Sequence, residues 1–449
     1  MKRLFAGALL LSFLSVLTGC TLKNGVDLMQ LPKPNKDRQA ITDELARVKS
    51  SEAVEDAPYQ GENRNTVQMV DLDGDGVEEV VAFFRTPANG NTYEAVVLTK
   101  ESDERYRYAG SVHGIGSRID SVSYPVITPE GQRAILLSME QMSEQSNHLI
   151  AADYMGESVR VMLETDYVDM MAVDADGNGT REVFLISGQD TRHIASVYGY
   201  DVNSRGLKMM SETPLSASAK IIERMHKGYL ADRIPAIFVE ETVQGSNGQQ
   251  TDIFIWSRES GLRNLARNTE SGTGRGTYRV VPANAYDING DGFTEIPRAV
   301  KMVGSAGTEG NEVYMLDWYV YAENSPPMYV QTTYRNVSQE WDFVMSAEWQ
   351  NRVRAVKGTE DGIDYTTFEV YVPDGRSIPL LTIYYLLGTA DDVQQQMAEK
   401  QLFALDTVPS GTFAAEIPRE AAGSSLALTQ VQVKERFAPI TVHWNEIES

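Results

Sequence analysis

Three short stretches place oxygen-bearing side chains at one fixed spacing. They are Asp71-Leu72-Asp73-Gly74-Asp75-Gly76-Val77-Glu78-Glu79, Asp174-Ala175-Asp176-Gly177-Asn178-Gly179-Thr180-Arg181-Glu182 and Asp287-Ile288-Asn289-Gly290-Asp291-Gly292-Phe293-Thr294-Glu295. Positions 1, 3, 5 and 9 carry the oxygens, and positions 4 and 6 are glycine. Calcium takes about six to eight oxygen ligands at about 2.3–2.6 Å in forgiving geometry. Alternate carboxylates on a tightly turned loop supply three of them, and glycine at position 6 permits the turn through positive φ. The carbonyl at position 7 (Val77, Thr180 or Phe293) can then face an ion, and Glu79, Glu182 or Glu295 closes the cage. The expected ligands are therefore Asp71, Asp73, Asp75, Val77 and Glu79; Asp174, Asp176, Asn178, Thr180 and Glu182; and Asp287, Asn289, Asp291, Phe293 and Glu295. The bland reading is an Asp/Gly-rich hairpin turn without metal. Three copies at one spacing favour the ion, with about three Ca²⁺ sites.

The elements around these loops separate them from EF-hands. An EF-hand needs a bidentate Glu at position 12 and flanking helices. Position 12 here is Ala82, Leu185 or Arg298, and the flanks read as strands, such as Val67–Val70 and Val80–Phe84. A calcium loop inside a β-hairpin, closed by an acid at position 9, resembles the FG-GAP/VCBS repeat family. That resemblance implies β-propeller blades like those of integrin α chains.

The loop glycines Gly76, Gly179 and Gly292 lie 103 and 113 residues apart, about twice a four-stranded blade. Degenerate copies sit midway, at Val126–Leu137 with Gly131 at its turn, and at Tyr229–Val239 with Arg233 at its turn. Five repeats follow, with ions expected as local staples in the first, third and fifth. The first repeat reads as strands Thr66–Val70, Glu79–Phe84, Tyr93–Leu98 and Tyr106–Val112, with turns at Pro87-Ala88-Asn89-Gly90 and Glu101-Ser102-Asp103. The expected fold is mainly β: a β-propeller of about five four-stranded blades over residues 61–336, followed by a C-terminal α+β domain over residues 337–449. Six or seven blades are the alternative.

In that C-terminal part, Trp341–Met345, Val353–Val356, Thr366–Val372 and Pro379–Leu387 look like strands, and Ala390–Lys400 like a helix. Ser424 and Ser425 are expected to cap a second helix carrying Leu428, Val431 and Lys434. Trp341…Ala347-Glu348-Trp349 followed by a sheet resembles the small PsbP-like α+β domains, usually binding modules.

Lys2 and Arg3 precede an apolar run from Leu4 to Leu17 that ends in Leu17-Thr18-Gly19-Cys20, and Cys20 is the only cysteine. This resembles the bacterial lipoprotein signal peptide with its lipobox. The resemblance implies cleavage after residue 19 and lipidation of Cys20, hence anchoring to the membrane on its extracytoplasmic face without spanning it. Residues 20–60 read as a tether with Pro32 and Pro34, then a short helix with Ile41, Leu45 and Val48 on one face, which Asn35 could cap.

The charge balance excludes one class of partner. With 40 basic and 63 acidic residues, net −23, and no basic stretch, the chain is unsuited to nucleic acid and better suited to cations. No catalytic set emerges. The five histidines form no H-E-x-x-H pair, no G-x-S-x-G elbow is present, and Gly272-Thr273-Gly274-Arg275-Gly276 lacks the spacing of a phosphate loop. Trp256, Trp318 and Tyr319 could line a binding surface, though strand cores use such aromatics more often. Two readings stand. The first is a calcium-stabilised module at the bacterial surface that binds an unknown protein or glycan. The second is an enzyme, a hydrolase or lyase of extracellular polymer, with acids in a propeller channel.

Overall fold

A computed structural model describes residues 36–440 except 88–90, 103–104, 142–145, 157, 189–191, 247, 275, 305–311 and 374. The expected signal segment 1–19, Cys20, Asn35, Asp103, Arg275, His443 and most of the expected turn at Pro87–Gly90 lie outside the described residues. The chain is mainly β and forms a series of antiparallel sheets, each of four or five strands.

The first sheet holds Val67–Val70, Glu79–Thr86, Thr92–Ser102 and Arg105–Ile115, with Val54–Glu55 added beside Glu79–Thr86. The second holds Arg118–Ser123, Ala134–Glu140, Asn147–Tyr154 and Val159–Tyr167. The third holds Asp169–Val173, Glu182–Ser187, Ile194–Asp201 and Gly206–Pro214, and the fourth Ala219–Tyr229, Pro235–Val243, Gln249–Ser257 and Gly261–Asn264. The fifth holds Glu295–Lys301, Tyr314–Val320, Met328–Asn336 and Trp341–Val344, with Phe437–Pro439 added beside Trp341–Val344. Apart from the added strands Val54–Glu55 and Phe437–Pro439, sequence neighbours in these sheets are hydrogen-bonded neighbours.

Side-chain alternation along the second strand of each sheet explains how the sheets stack. Successive residues of a strand point to opposite faces. In Glu79–Thr86, Val81 and Phe83 face the second sheet, while Val80, Ala82 and Phe84 face away from it. In Ala134–Glu140, Ile135 and Leu137 meet the first sheet, whereas Ala134 and Leu136 meet the third. Phe184 and Ile186 pack on the fourth sheet with Ile237 and Val239, and Ala236 and Phe238 turn to the fifth with Ile296. These strands are buried on both faces, so they read as continuous apolar runs rather than alternating ones.

The two ends of the stack are covered differently. The outer face of the first sheet takes helix α1 (Lys36–Val48), whose Leu45, with Ile41 and Val48 beside it, packs over Val80 and Phe84. Burying one such leucine contributes about 1.5–3 kcal/mol. The outer face of the fifth sheet packs on a sixth, built from Val353–Glu360, Ile363–Val370, Ile378–Leu386, Gly411–Glu416 and Phe403–Val408 in that order. Helix α2 (Ala390–Lys400) covers the far side of the sixth sheet with Val393 and Met397. Among the described residues no hydrophobic cluster joins the first sheet to the fifth or sixth. No described helix is long and apolar enough to cross a membrane.

Two expectations need correction. The strand Trp341–Val344, assigned by sequence to the C-terminal domain, pairs with Met328–Asn336 in the fifth sheet. Phe437–Pro439 returns to pair with Trp341–Val344, so the boundary at 336/337 runs through one sheet. The cause is aromatic packing: Trp341 and Phe343 share a cluster with Phe368, Phe413 and Phe437 across both sheets. Second, the last helix, α3 (Gln430–Arg436), is capped by Thr429 and not by Ser424 or Ser425, so Leu428 precedes it. The Thr429 hydroxyl accepts from Gln432 N–H while Gln432 Oε1 accepts from Thr429 N–H at 2.9 Å. That reciprocal box satisfies two helix-end donors, which a single serine further back cannot do.

Candidate metal centres

The three acidic loops share one backbone path. Glycines 4 and 6 have φ of +81° and +88° in the first loop, +75° and +89° in the second, and +78° and +87° in the third. The position-1 aspartate pins this path from inside. Asp71 Oδ2 accepts from Gly76 N–H at 3.0 Å, Asp174 Oδ2 from Gly179 N–H at 3.1 Å, and Asp287 Oδ2 from Gly292 N–H at 2.7 Å. The position-5 side chain repeats the device on position 7. Asp75, Asn178 and Asp291 accept from the N–H groups of Val77, Thr180 and Phe293 at 2.7–2.9 Å.

This path gathers the acids. Asp71, Asp73 and Glu79 each bring one carboxylate oxygen within 4.8 Å of the others, and so do Asp174, Asp176 and Glu182. Either group could hold a metal ion, and each is drawn from a single loop. The third loop has Asn289 where the other two carry an aspartate. Its amide donates to Asp291 Oδ2 at 2.9 Å.

The position-9 glutamate starts its strand and is buried, with exposures of 2, 4 and 0 % for Glu79, Glu182 and Glu295. Its Oε2 accepts from the N–H of position 2 (Leu72, Ala175 or Ile288) at 3.0 Å in every loop. The other oxygen differs among the loops, and in the first Glu79 Oε1 accepts from the Thr99 hydroxyl at 3.5 Å. In the third loop it is Glu295 Oε1, buried and without a hydrogen-bond partner among the described residues. A buried carboxylate oxygen without a partner is costly, and a hard cation satisfies it. All-oxygen donors with few constraints on angle suit Ca²⁺ or Mg²⁺ better than softer metals.

Burial first, then the neighbouring aspartates, push Glu79, Glu182 and Glu295 up to about 7. Burial also raises Asp73 above the usual range. The folded-state values lie above those of an unfolded chain, so these groups stabilise the fold at low pH and lose that contribution as pH rises through about 7. In chelator, the melting temperature should therefore fall between about pH 5 and pH 8. With Ca²⁺ saturating, the carboxylates are held ionised and that fall should vanish. A flat profile in chelator would contradict this.

Sequence reading missed what position 2 does. Leu72, Ile127, Ala175, Leu230 and Ile288 occur once per repeat, and all but the half-buried Ile288 are at most 5 % exposed. Each plugs the hydrophobic layer beneath its loop. In the repeats without acids a backbone carbonyl replaces the glutamate: Ile127 N–H donates to Gln132 O at 2.8 Å, and Leu230 N–H to Ile234 O at 3.0 Å. Gly131 at φ +96° and Arg233 at φ +60° occupy these ion-free turns, between the first and second strands of the second and fourth sheets. The signal was a recurring apolar residue one place after the first acid.

The loops are also bonded to the next repeat. Arg133 N–H donates to Leu72 O and Arg181 N–H to Val126 O, both at 2.8 Å, and Thr294 N–H to Tyr229 O at 3.0 Å. A Cβ on Gly74 would stand 2.8 Å from Glu130 O, so only glycine allows the first two loops to touch. The staples are thus local in their acids but not in their backbone contacts.

The remaining candidates resolve into structure. Trp256 and Trp318 are buried in strand cores, and Tyr319 packs edge-on against Tyr329. Gly274 lies over Gln250 and Ser216 and closes a buried polar cluster. His226 stacks on Phe238, and burial pushes it down to about 4.

No protein-family model matches the chain, and no curated protein matches it significantly. Among solved structures it is similar to the exotype rhamnogalacturonan lyase YesX, with 11 % identity, 74 % of this protein and 69 % of that one covered, and a TM-score of 0.28. It is also similar to a BT0996 RGII complex, with 10 % identity, coverage of 88 % and 98 %, and a TM-score of 0.18. Likenesses this weak carry nothing over to this protein.

Proposed function

We propose that the protein is an extracytoplasmic lipoprotein, held to the membrane through lipid on Cys20, whose calcium-bearing β-propeller-type blades form a binding module for a protein or glycan at the bacterial surface. The observation that carries the calcium part is the common geometry of three loops more than a hundred residues apart, each with the same turn glycines, the same aspartate pin and the same buried glutamate. A bare turn needs none of the acids, as the second and fourth repeats illustrate. The five consecutive sheets are the blades of this reading, each with its loop between the first and second strands. In the fifth, the first strand shrinks to a single bridge, Tyr286 to Glu295. The end faces are covered by α1 and the sixth sheet in place of a seam between the first and fifth blades.

The test joins anchor and ligand. Wild type should fractionate with membranes and Cys20→Ser should not. The purified protein should bind members of a cell-wall and glycan fragment array with Ca²⁺ and lose them in chelator. A Cys20→Ser protein that stays in the membrane fraction would remove the anchor. Binding indifferent to chelation would detach ligand recognition from the loops.

A further inference from the structure

Residues of the fifth and sixth sheets and their connections line a cleft of about 630 Å³, inside the usual range of about 300–1,000 Å³ for small-molecule sites. None of the acidic-loop residues lines it. Five valines line it: Val281, Val303, Val313, Val337 and Val356. Val337 is 50 % and Val356 40 % exposed, so part of that lining faces solvent. The lining also carries three cations, Arg335, Arg354 and Lys357, in a protein of net charge −23.

Two of the three are already neutralised. Arg335 makes a two-pronged pair with Asp342 at 2.9 and 2.6 Å, and Arg354 Nε donates to Glu369 at 2.7 Å. Among the described lining residues the one carboxylate, Glu312, is engaged by Lys301. Lys357 differs. Its ammonium donates to the amide oxygen of Asn336 at 3.2 Å, and among the described residues no carboxylate pairs with it. An ammonium has three donors, so two remain for a ligand. Lys357 is exposed as a whole, yet partial desolvation of its ammonium holds it below the usual lysine range.

We propose that this cleft binds a small amphipathic monoanion, with its acid group at Lys357 and its apolar body against the valines. One unpaired cation matches one negative charge, not a dianion such as a phosphate monoester. Five valines outnumber the two lining tyrosines, Tyr314 and Tyr334, which suits an aliphatic body. The site lies beyond the surface-module reading and does not depend on it.

Octanoate and 1-octanol share a tail and differ in the head group, so they separate the two halves of the site. In calorimetric titrations of the Ca²⁺-saturated protein, octanoate should bind one per chain and at least tenfold tighter than 1-octanol. Lys357→Met should bring octanoate down to the level of the alcohol and leave the alcohol unchanged. Lys357→Gln, which keeps the bond to Asn336, should do the same and serves if the methionine variant folds poorly. Val337→Trp, at a half-exposed rim position, should weaken both ligands at least tenfold with an unchanged melting temperature. Equal affinity for acid and alcohol, unchanged octanoate binding in both Lys357 variants, or no binding of either ligand would overturn the proposal.

Discussion

Millimolar Ca²⁺ should raise the melting temperature of the chelated protein by roughly 10 °C. The expectation follows from three sites and one linkage relation. An ion that binds only the folded state stabilises it by RT ln(1 + [L]/Kd), about 2.7 kcal/mol per site at a hundredfold excess over Kd. Three sites give about 8 kcal/mol, comparable with the whole stability of an ordinary domain. Without the ion, Asp71, Asp73, Asp75 and Glu79 crowd one turn and repel one another. The loops should not contribute equally. The first offers four carboxylates, while Asn178 and Asn289 replace one each in the others. Arg258 Nε also stands 4.0 Å from Asp176 Oδ2, where it competes with a cation. Asp73→Ala should therefore remove more of the Ca²⁺-dependent shift than Asp176→Ala. A melting curve indifferent to chelation, with no ion found by mass spectrometry, would leave the loops as bare turns. The reverse order of the two variants would show that rigidity outweighs charge.

How far the sequence could be read depends on whether a signal is local. The acidic loops were legible because the aspartate and glutamate hydrogen bonds that pin their turns lie within nine residues. The strands of the first sheet were legible for the same reason, since Glu79–Thr86 is an apolar run bounded by turn residues. The role of Arg233 was legible only through spacing, because nothing in the residue itself says φ +60°. The long-range features were not legible. Phe437–Pro439 joins a strand almost a hundred residues earlier, and no turn signal announces it. Nor does composition separate a surface acid from a buried one. Glu240, Glu241 and Asp252 are fully buried in a chain whose acids are mostly solvated. Their partners lie far off: Ser216 holds both oxygens of Asp252 at 2.6 Å, and Arg279 pairs with Glu240.

That last pair carries the second large effect. Glu240 and Arg279 have fully buried side chains. Arg279 belongs to the long connection between the fourth and fifth sheets, and its guanidinium donates to Ala283 O at 2.5 Å, to Thr277 O at 3.0 Å and to Thr251 Oγ1 at 2.9 Å. Glu240 accepts from Ala285 N–H at 2.7 Å and from the Thr251 hydroxyl at 2.8 Å. The pair thus fastens residues 277–285 to the strand Pro235–Val243. Glu240→Gln leaves the guanidinium charged, because arginine does not release its proton. The cost of an uncompensated buried charge is about 3–5 kcal/mol. Arg279→Met should cost a comparable amount, because it leaves the Glu240 carboxylate buried without its counter-charge. The exposed pair Lys400–Glu360 supplies the comparison, since Glu360 is 60 % exposed and Glu360→Gln should change stability by no more than about 1 kcal/mol. Urea denaturation of the three variants reads all of this. If Glu240→Gln unfolds no more readily than Glu360→Gln, the buried pair is dispensable and the connection is held by its backbone contacts alone.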